Sequence, residues 1–182
     1  MSHRTLVVLG GLPATGKSTV AAELQQRARF AYVRIDTIEQ ALRESGELRS
    51  GDPNESGYRV GYAVARDLLR AGNRVLVECV NPIEITRRAW RGVAASSGAD
   101  ILEIELFCAD AATHQRRVET RVIDIPGFEL PQWEAVRTRV YEPWPGAQLR
   151  LDTTALSPAA AAERIVQTLL TIERRQGSAS RA

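Results

Sequence analysis

Residues 5–19 constrain this chain more than any other stretch. They read Thr-Leu-Val-Val-Leu-Gly-Gly-Leu-Pro-Ala-Thr-Gly-Lys-Ser-Thr. The apolar run Leu6 to Leu9 has the pattern of a buried strand. The residues after it match GxxxxGK[ST], with Gly11, Gly16, Lys17 and Ser18 in the defining places. The chemistry of a phosphate loop needs these types. Backbone N–H groups of the turn converge on phosphates, and a Cβ at Gly11 or Gly16 would obstruct that approach. Lys17 brings a point charge to the β/γ-phosphates, and the Ser18 hydroxyl is a hard oxygen ligand suited to Mg²⁺. Val20, Leu24 and Ala28 recur four apart, so a helix starts after Gly16 and its N-terminus adds free N–H groups and dipole to an anion site. An ordinary glycine-rich turn has no need of strand, loop, Lys-Ser and helix in this order.

The length of 182 residues suits one domain with a full core. The 24 basic and 22 acidic residues leave a net charge of +2, too balanced to imply non-specific nucleic-acid binding. Lys17 is the only lysine, and the other basic residues are arginines, whose planar fork suits phosphate. Cys79 and Cys108 lie in apolar runs and read as small buried hydrophobes, not as a disulfide framework. No stretch approaches a membrane span, and the apolar run after Arg4 is too short for a signal peptide. The expectation is a cytoplasmic enzyme.

Tyr32 to Ile35 reads as a second strand ending at Asp36, with a helix through Ile38, Ala41 and Leu42. Asp36 stands three before Glu39, the spacing of a capping box. It is equally a carboxylate at a strand's carboxyl end, placed to accept a proton from a substrate hydroxyl. Residues 45–57 are polar and rich in breakers, a loop. Tyr58, Gly61, Tyr62, Ala65, Leu68 and Leu69 then have helical spacing up to Gly72, and the tyrosines read as core. Residues 74–80 form a near-continuous apolar strand in which Glu78 is the anomaly, because a buried carboxylate needs a partner. Glu78 is either the second acidic residue of a metal site or a strand end facing solvent. Pro82 falls in the first turn of the next helix, with Arg87 and Arg88 as solvated charges.

A fourth strand runs from Ala99 to Cys108, and Asp110 caps a helix carrying His114, Arg116, Arg117 and Arg121. Arg117 and Arg121 are four apart and share a face, either solvated or contacting phosphate, and His114 reads as surface. Residues 122–147 are irregular around a helical piece from Gln132 to Val140, the pattern of a mobile lid. Trp133, Tyr141 and Trp144 either cover an acceptor or anchor that lid. Residues 148–152 form a fifth strand, with a turn at Asp152-Thr153-Thr154. Ser157-Pro158 then opens a last helix through Ala162, Ile165, Val166, Leu169 and Ile172. The domain is expected to span 1–173, with a lid at about 116–146 and a frayed polar tail at 174–182.

This arrangement resembles the P-loop small-molecule kinases. The closer likeness is to the group of zeta-toxin-like kinases, chloramphenicol phosphotransferase and proteins often labelled adenylylsulfate-kinase-like or AAA-type ATPases. The residues that carry it are Gly11 to Thr19, Asp36, the strand end Val77 to Pro82, and Cys108-Ala-Asp110 with His114 and Arg117, within a likeness spanning about residues 4–172. The resemblance implies an α/β P-loop fold, a doubly wound parallel sheet of order 2-3-1-4-5 with helices on both faces. It implies ATP at Gly11, Ala14, Thr15, Gly16, Lys17, Ser18 and Thr19, and Mg²⁺ near Ser18 and Glu78. It implies Asp36 as acceptor-orienting base, Arg117 and Arg121 on the phosphates, and Asp152-Thr153 near the adenine. Relatives often have Asp where this chain has Glu78, whose longer side chain reaches metal-bound water. No ring-ATPase sensor or second-domain sequence is present, so an AAA label describes the loop and not the machine.

Three functions fit. The first is an ATP-dependent kinase acting on a small-molecule hydroxyl, as monomer or homodimer. The second is a nucleic-acid-end or tRNA-linked kinase, which the near-neutral charge opposes. The third is a nucleotide-binding switch, which has no use for an acceptor base at Asp36.

Overall fold

The apolar run of the first strand, β1 (Thr5–Gly10), is buried along its whole length because it lies at the centre of the sheet. The computed structural model describes residues 4–47 and 56–179, with side chains to residue 174. The other strands are β2 (Ala31–Arg34), β3 (Val75–Glu78), β4 (Asp100–Phe107) and β5 (Leu149–Asp152). The helices are α1 (Lys17–Arg27), α2 (Ile35–Glu44), α3 (Ser56–Arg70), α4 (Glu84–Ser96), α5 (Ala111–Thr120), α6 (Trp133–Arg137) and α7 (Pro158–Ala179). All strand pairings are parallel, and the order is β2-β3-β1-β4-β5. Among the described residues no helix is long and apolar enough to cross a membrane.

Alternation along β1 builds two cores. Val7 and Leu9 join Val20 and Leu24 of α1 and Ile165 and Leu169 of α7 on one face. Leu6 and Val8 join Ala65 and Leu69 of α3 and Trp90 and Val93 of α4 on the other. Since successive side chains point to opposite faces, a strand covered on both sides must be apolar throughout, which is why β1 and most of β3 are. The same parity sends Leu76 toward α1, and Glu78, two residues on, with it. Tyr32 and Arg34 pair with Leu76 and Glu78 across β2 and β3 and so share that face.

Several expectations are corrected. β2 ends at Arg34, and Ile35 already begins α2, so Asp36 lies inside the first helical turn. The helix is preceded by Arg34 with no side-chain capping bond, which removes the capping-box role from Asp36. Ser56 and Gly57 belong to α3 and not to a loop; of the rest of that expected loop, 45–47 turn away from α2 as expected and 48–55 lie outside the described residues. Helical backbone continues to Ala179. Pro82 precedes α4, whose N-cap is Ile83.

Arg87, expected in solvent, is 1% exposed. Its guanidinium donates to the carbonyls of Asn81 (3.2 Å), Pro82 (3.2 Å), Glu142 (2.7 Å) and Pro143 (2.8 Å). It also stands over the rings of Tyr141 and Trp144, at 5.4 and 4.8 Å. Five N–H donors on a planar fork can serve this many carbonyls at once, as an ammonium cannot. Arg87 thereby fastens the strap 141–144 to the turn after β3. Tyr141 and Trp144 are anchors of that strap. Trp144 is 2% exposed and packs over Gly10, where a Cβ would collide with its ring.

Candidate functional site

The loop between β1 and α1 holds its shape through backbone conformations that favour glycine. Gly11 (φ +149°) donates its N–H to the Val80 carbonyl at 3.0 Å, and a Cβ there would strike the Leu106 carbonyl. Gly16 (φ +90°) is left-handed and launches α1, while Ala14 takes φ 63° at the loop's turn. Thr15 Oγ1 donates to Leu12 O at 2.9 Å. Lys17 Nζ donates to the carbonyls of Gly11 and Leu12, both at 2.9 Å. Burial pushes the Lys17 ammonium below its usual range, and the charges of Glu78 and Asp36 partly restore it.

Glu78 is 2% exposed and does not face solvent. Ser18 Oγ donates to its Oε1 at 2.6 Å, and the Tyr32 hydroxyl donates to its Oε2. Arg34 Nε stands 3.8 Å from Oε1, while Arg34 Nη1 donates to Asp124 Oδ1 at 2.7 Å. Burial and the neighbouring Glu78 charge push the Tyr32 phenol far up, so it remains a donor. The hydrogen bond from Arg34 lowers the pKa of Asp124. Tyr32, Arg34 and Asp124 were not picked out from the sequence. Strand parity opposite Glu78 was the available signal for the first two; nothing local marks Asp124.

These groups border a cleft of about 640 Å³, lined by Ala14, Gly16, Lys17, Ser18 and Thr19 and extending to Arg117 and Thr153. Gly11 and Thr15 shape the loop from outside its lining. Arg117 Nη1 and Nη2 donate to Thr153 Oγ1 and O, each at 2.9 Å. Asp152, expected beside a base, turns its Oδ1 to Ala109 N (3.1 Å), Thr154 N (2.9 Å) and Thr154 Oγ1 (2.5 Å), bracing the turn outside the cleft. Asp110 caps α5 as expected, accepting from Thr113 N at 2.7 Å. His114 is buried and not on the surface. Its Nε2 donates to the Pro13 carbonyl at 2.8 Å, and its ring meets Trp133 edge-on at 5.3 Å. Arg121 is the C-terminal cap residue of α5, one step past the helix that was expected to carry it.

A second cavity, of about 210 Å³, opens on the other side of Lys17. Lys17 and Arg121 line both cavities. Asp36 lines the second, with Glu39 and Arg43 of the same helix and Tyr58 of α3. Tyr58 Oη accepts from Asn81 N at 2.9 Å, and burial keeps the phenol protonated, so its own proton is free for the cavity. Tyr62 packs edge-on against Trp90 at 4.5 Å, which is core as expected, whereas Tyr58 borders the cavity.

A doubly wound parallel sheet with a glycine-bounded phosphate loop between its central strand and α1 defines the P-loop fold. Within that class the chain belongs to the AAA domain family AAA_33, whose model matches residues 6–143. No curated protein matches the chain. Solved structures with the same fold include an APS kinase of Mycobacterium tuberculosis in complex with AMPPNP and APS, 22% identical, with TM-score 0.70 over 93% of this chain and 99% of that one. The tunicamycin resistance protein of Deinococcus radiodurans is 18% identical, with TM-score 0.68 over 92% and 96% of the two chains. A gluconokinase from Sinorhizobium meliloti 1021 is 16% identical, with TM-score 0.63 over 94% and 98%.

Proposed function

We propose that the protein is an ATP-dependent kinase that transfers the γ-phosphoryl group to a hydroxyl of a small molecule. The observation that carries this reading is the pair of cavities meeting at Lys17 and Arg121, with Asp36 in the smaller one. ATP occupies the larger cleft, its triphosphate on the backbone N–H groups of residues 14–19. The acceptor occupies the smaller cavity. Asp36 has no hydrogen bond to a described side chain, and it takes the hydroxyl proton as the oxygen–phosphorus bond forms and ADP leaves. Lys17 leaves the loop carbonyls for the β/γ-phosphates, and Arg121 meets charge developing on the transferred group. The segment between α5 and β5 closes over both as a lid.

The donor set suits Mg²⁺. A hydroxyl and a carboxylate, Ser18 and Glu78, lie 2.6 Å apart at the cleft, and both are hard oxygens. Among the described residues no three His, Cys, Asp or Glu side chains gather, which fits a cation held by one or two protein oxygens and by phosphate. Ser18 and Glu78 would hold it, and it would neutralise phosphate charge there.

Replacing Asp36 by Asn tests the reading. Because Asp36 is not a cap, the change removes no capping bond; it removes a first-turn charge, worth about 0.3–1 kcal/mol, that also acts on Lys17 and Glu39. The variant is expected to stay folded, bind ATP and lose about 10²-fold or more in transfer. Unimpaired transfer would remove Asp36 as the base.

A further inference from the structure

The second cavity also carries information about what it accepts. It is smaller than the 300–1,000 Å³ usual for drug-sized ligands, so its occupant is small. Half of its lining is charged, which excludes an apolar acceptor. Asp36, Glu39 and Arg43 fall on one face of α2, at helical spacings of three and then four residues. Arg43 therefore stands about 10 Å along the helix axis beyond Asp36. A molecule presenting a hydroxyl to Asp36 extends along this face toward Arg43.

The charges at that far end are only partly satisfied, because Arg43 forms an ion pair with Glu39 that uses one of its five N–H donors. Arg43 Nη2 is 3.5 Å from Glu39 Oε2, a long contact, and its guanidinium stands 5.7 Å over the Phe128 ring. Arg139, from the opposite wall, makes no side-chain hydrogen bond or ion pair with a described residue. Burial and the Asp36 charge push the Glu39 carboxyl up, against the pull of Arg43 and Arg139. Guanidinium charge does not titrate away. Glu129 and Arg139 are both exposed at the edge of the cavity. The cavity thus keeps two forks whose planar donors match a carboxylate or a phosphate.

We infer that the acceptor is a small polar hydroxyl compound carrying an anionic group, carboxylate or phosphate, read by Arg43 and Arg139 several bonds from the hydroxyl held by Asp36. A neutral polyol offers neither fork an anion beyond the Glu39 carboxylate that Arg43 already meets, and an ammonium at that end faces two guanidinium charges. The inference rests on the second cavity being the acceptor site of the proposed kinase.

The test uses one six-carbon polyol with four different ends: gluconate, sorbitol 6-phosphate, sorbitol and glucamine. Each is titrated calorimetrically into the full chain saturated with Mg²⁺ and a non-hydrolysable ATP analogue. The expected result is that at least one anionic member binds about tenfold or more tighter than sorbitol and glucamine. The preference of carboxylate over phosphate, or the reverse, identifies the group. Arg43→Gln and Arg139→Gln, checked for melting temperature and analogue binding, are each expected to abolish that advantage. Equal or tighter binding of sorbitol or glucamine overturns the inference, as does binding of none of the four, or an anionic preference that survives both substitutions. The kinase reading is read separately, by ADP release in the presence of ATP and the bound compound. Anion binding without phosphoryl transfer to any member would refute the kinase reading and leave the charge selectivity standing.

Discussion

Arg87→Met is the substitution whose consequence follows most directly from the structure. Methionine keeps an unbranched chain in the same space but donates nothing. Four carbonyls lose a donor, and of these only Pro82 O has another among the described residues, the Glu142 N–H at 2.8 Å. The buried Asn81 carbonyl is orphaned at about 1–3 kcal/mol, whereas those of Glu142 and Pro143, on exposed residues, exchange Arg87 for water at a smaller cost. Two cation–π contacts are lost with them. Relief from burying a charge at 1% exposure offsets part of this, leaving a net loss of about 2–4 kcal/mol. For a domain of this size that lowers the melting temperature by roughly 4–16 °C. Urea denaturation gives the free energy, and limited proteolysis gives the location, with new cleavage expected in the strap 141–144. Arg87→Lys should fall between the two, since one ammonium cannot span four carbonyls. A loss below about 1 kcal/mol, or no new cleavage in the strap, would refute the idea that Arg87 holds the strap to the turn after β3.

Three other substitutions probe the proposed phosphoryl site. Ser18→Ala and Glu78→Gln should each raise the Mg²⁺ concentration needed for half-maximal turnover, because the first removes the hydroxyl and the second the carboxylate charge of the pair that meets at 2.6 Å; unchanged titrations for both would place the cation elsewhere. Arg121→Ala should lower turnover about 10²-fold with a much smaller effect on ATP-analogue affinity, because Arg121 lies between the cavities and contributes most where charge develops. Equal losses in both would mean ground-state binding only.

The phosphate loop, the order of strands and helices, and the buried carboxylate at Glu78 were all legible from the chain, because each rests on neighbours within a few residues. A continuous apolar run reports a strand covered on both faces wherever it occurs, and a left-handed turn demands glycine at its own position. Asp36 shows the limit of such reasoning. A spacing of three allowed a cap or a base, and the choice turned on whether the chain became helical at Ile35, which spacing did not show. Arg87 and His114 go further. By local spacing both were surface residues, yet Arg87 is held by carbonyls 55 and 56 residues away and His114 by one 101 residues away. The resemblance implied Asp152 near the adenine, and its carboxylate accepts from the backbone N–H groups of Ala109 and Thr154, which no local pattern marks. The two cavities, and their meeting at Lys17 and Arg121, belong wholly to the tertiary structure. Local patterns fix which backbone forms and which faces are apolar. Whether a polar group ends in solvent, in a clamp or in a site depends on which distant donors and acceptors the packed chain brings within hydrogen-bond reach.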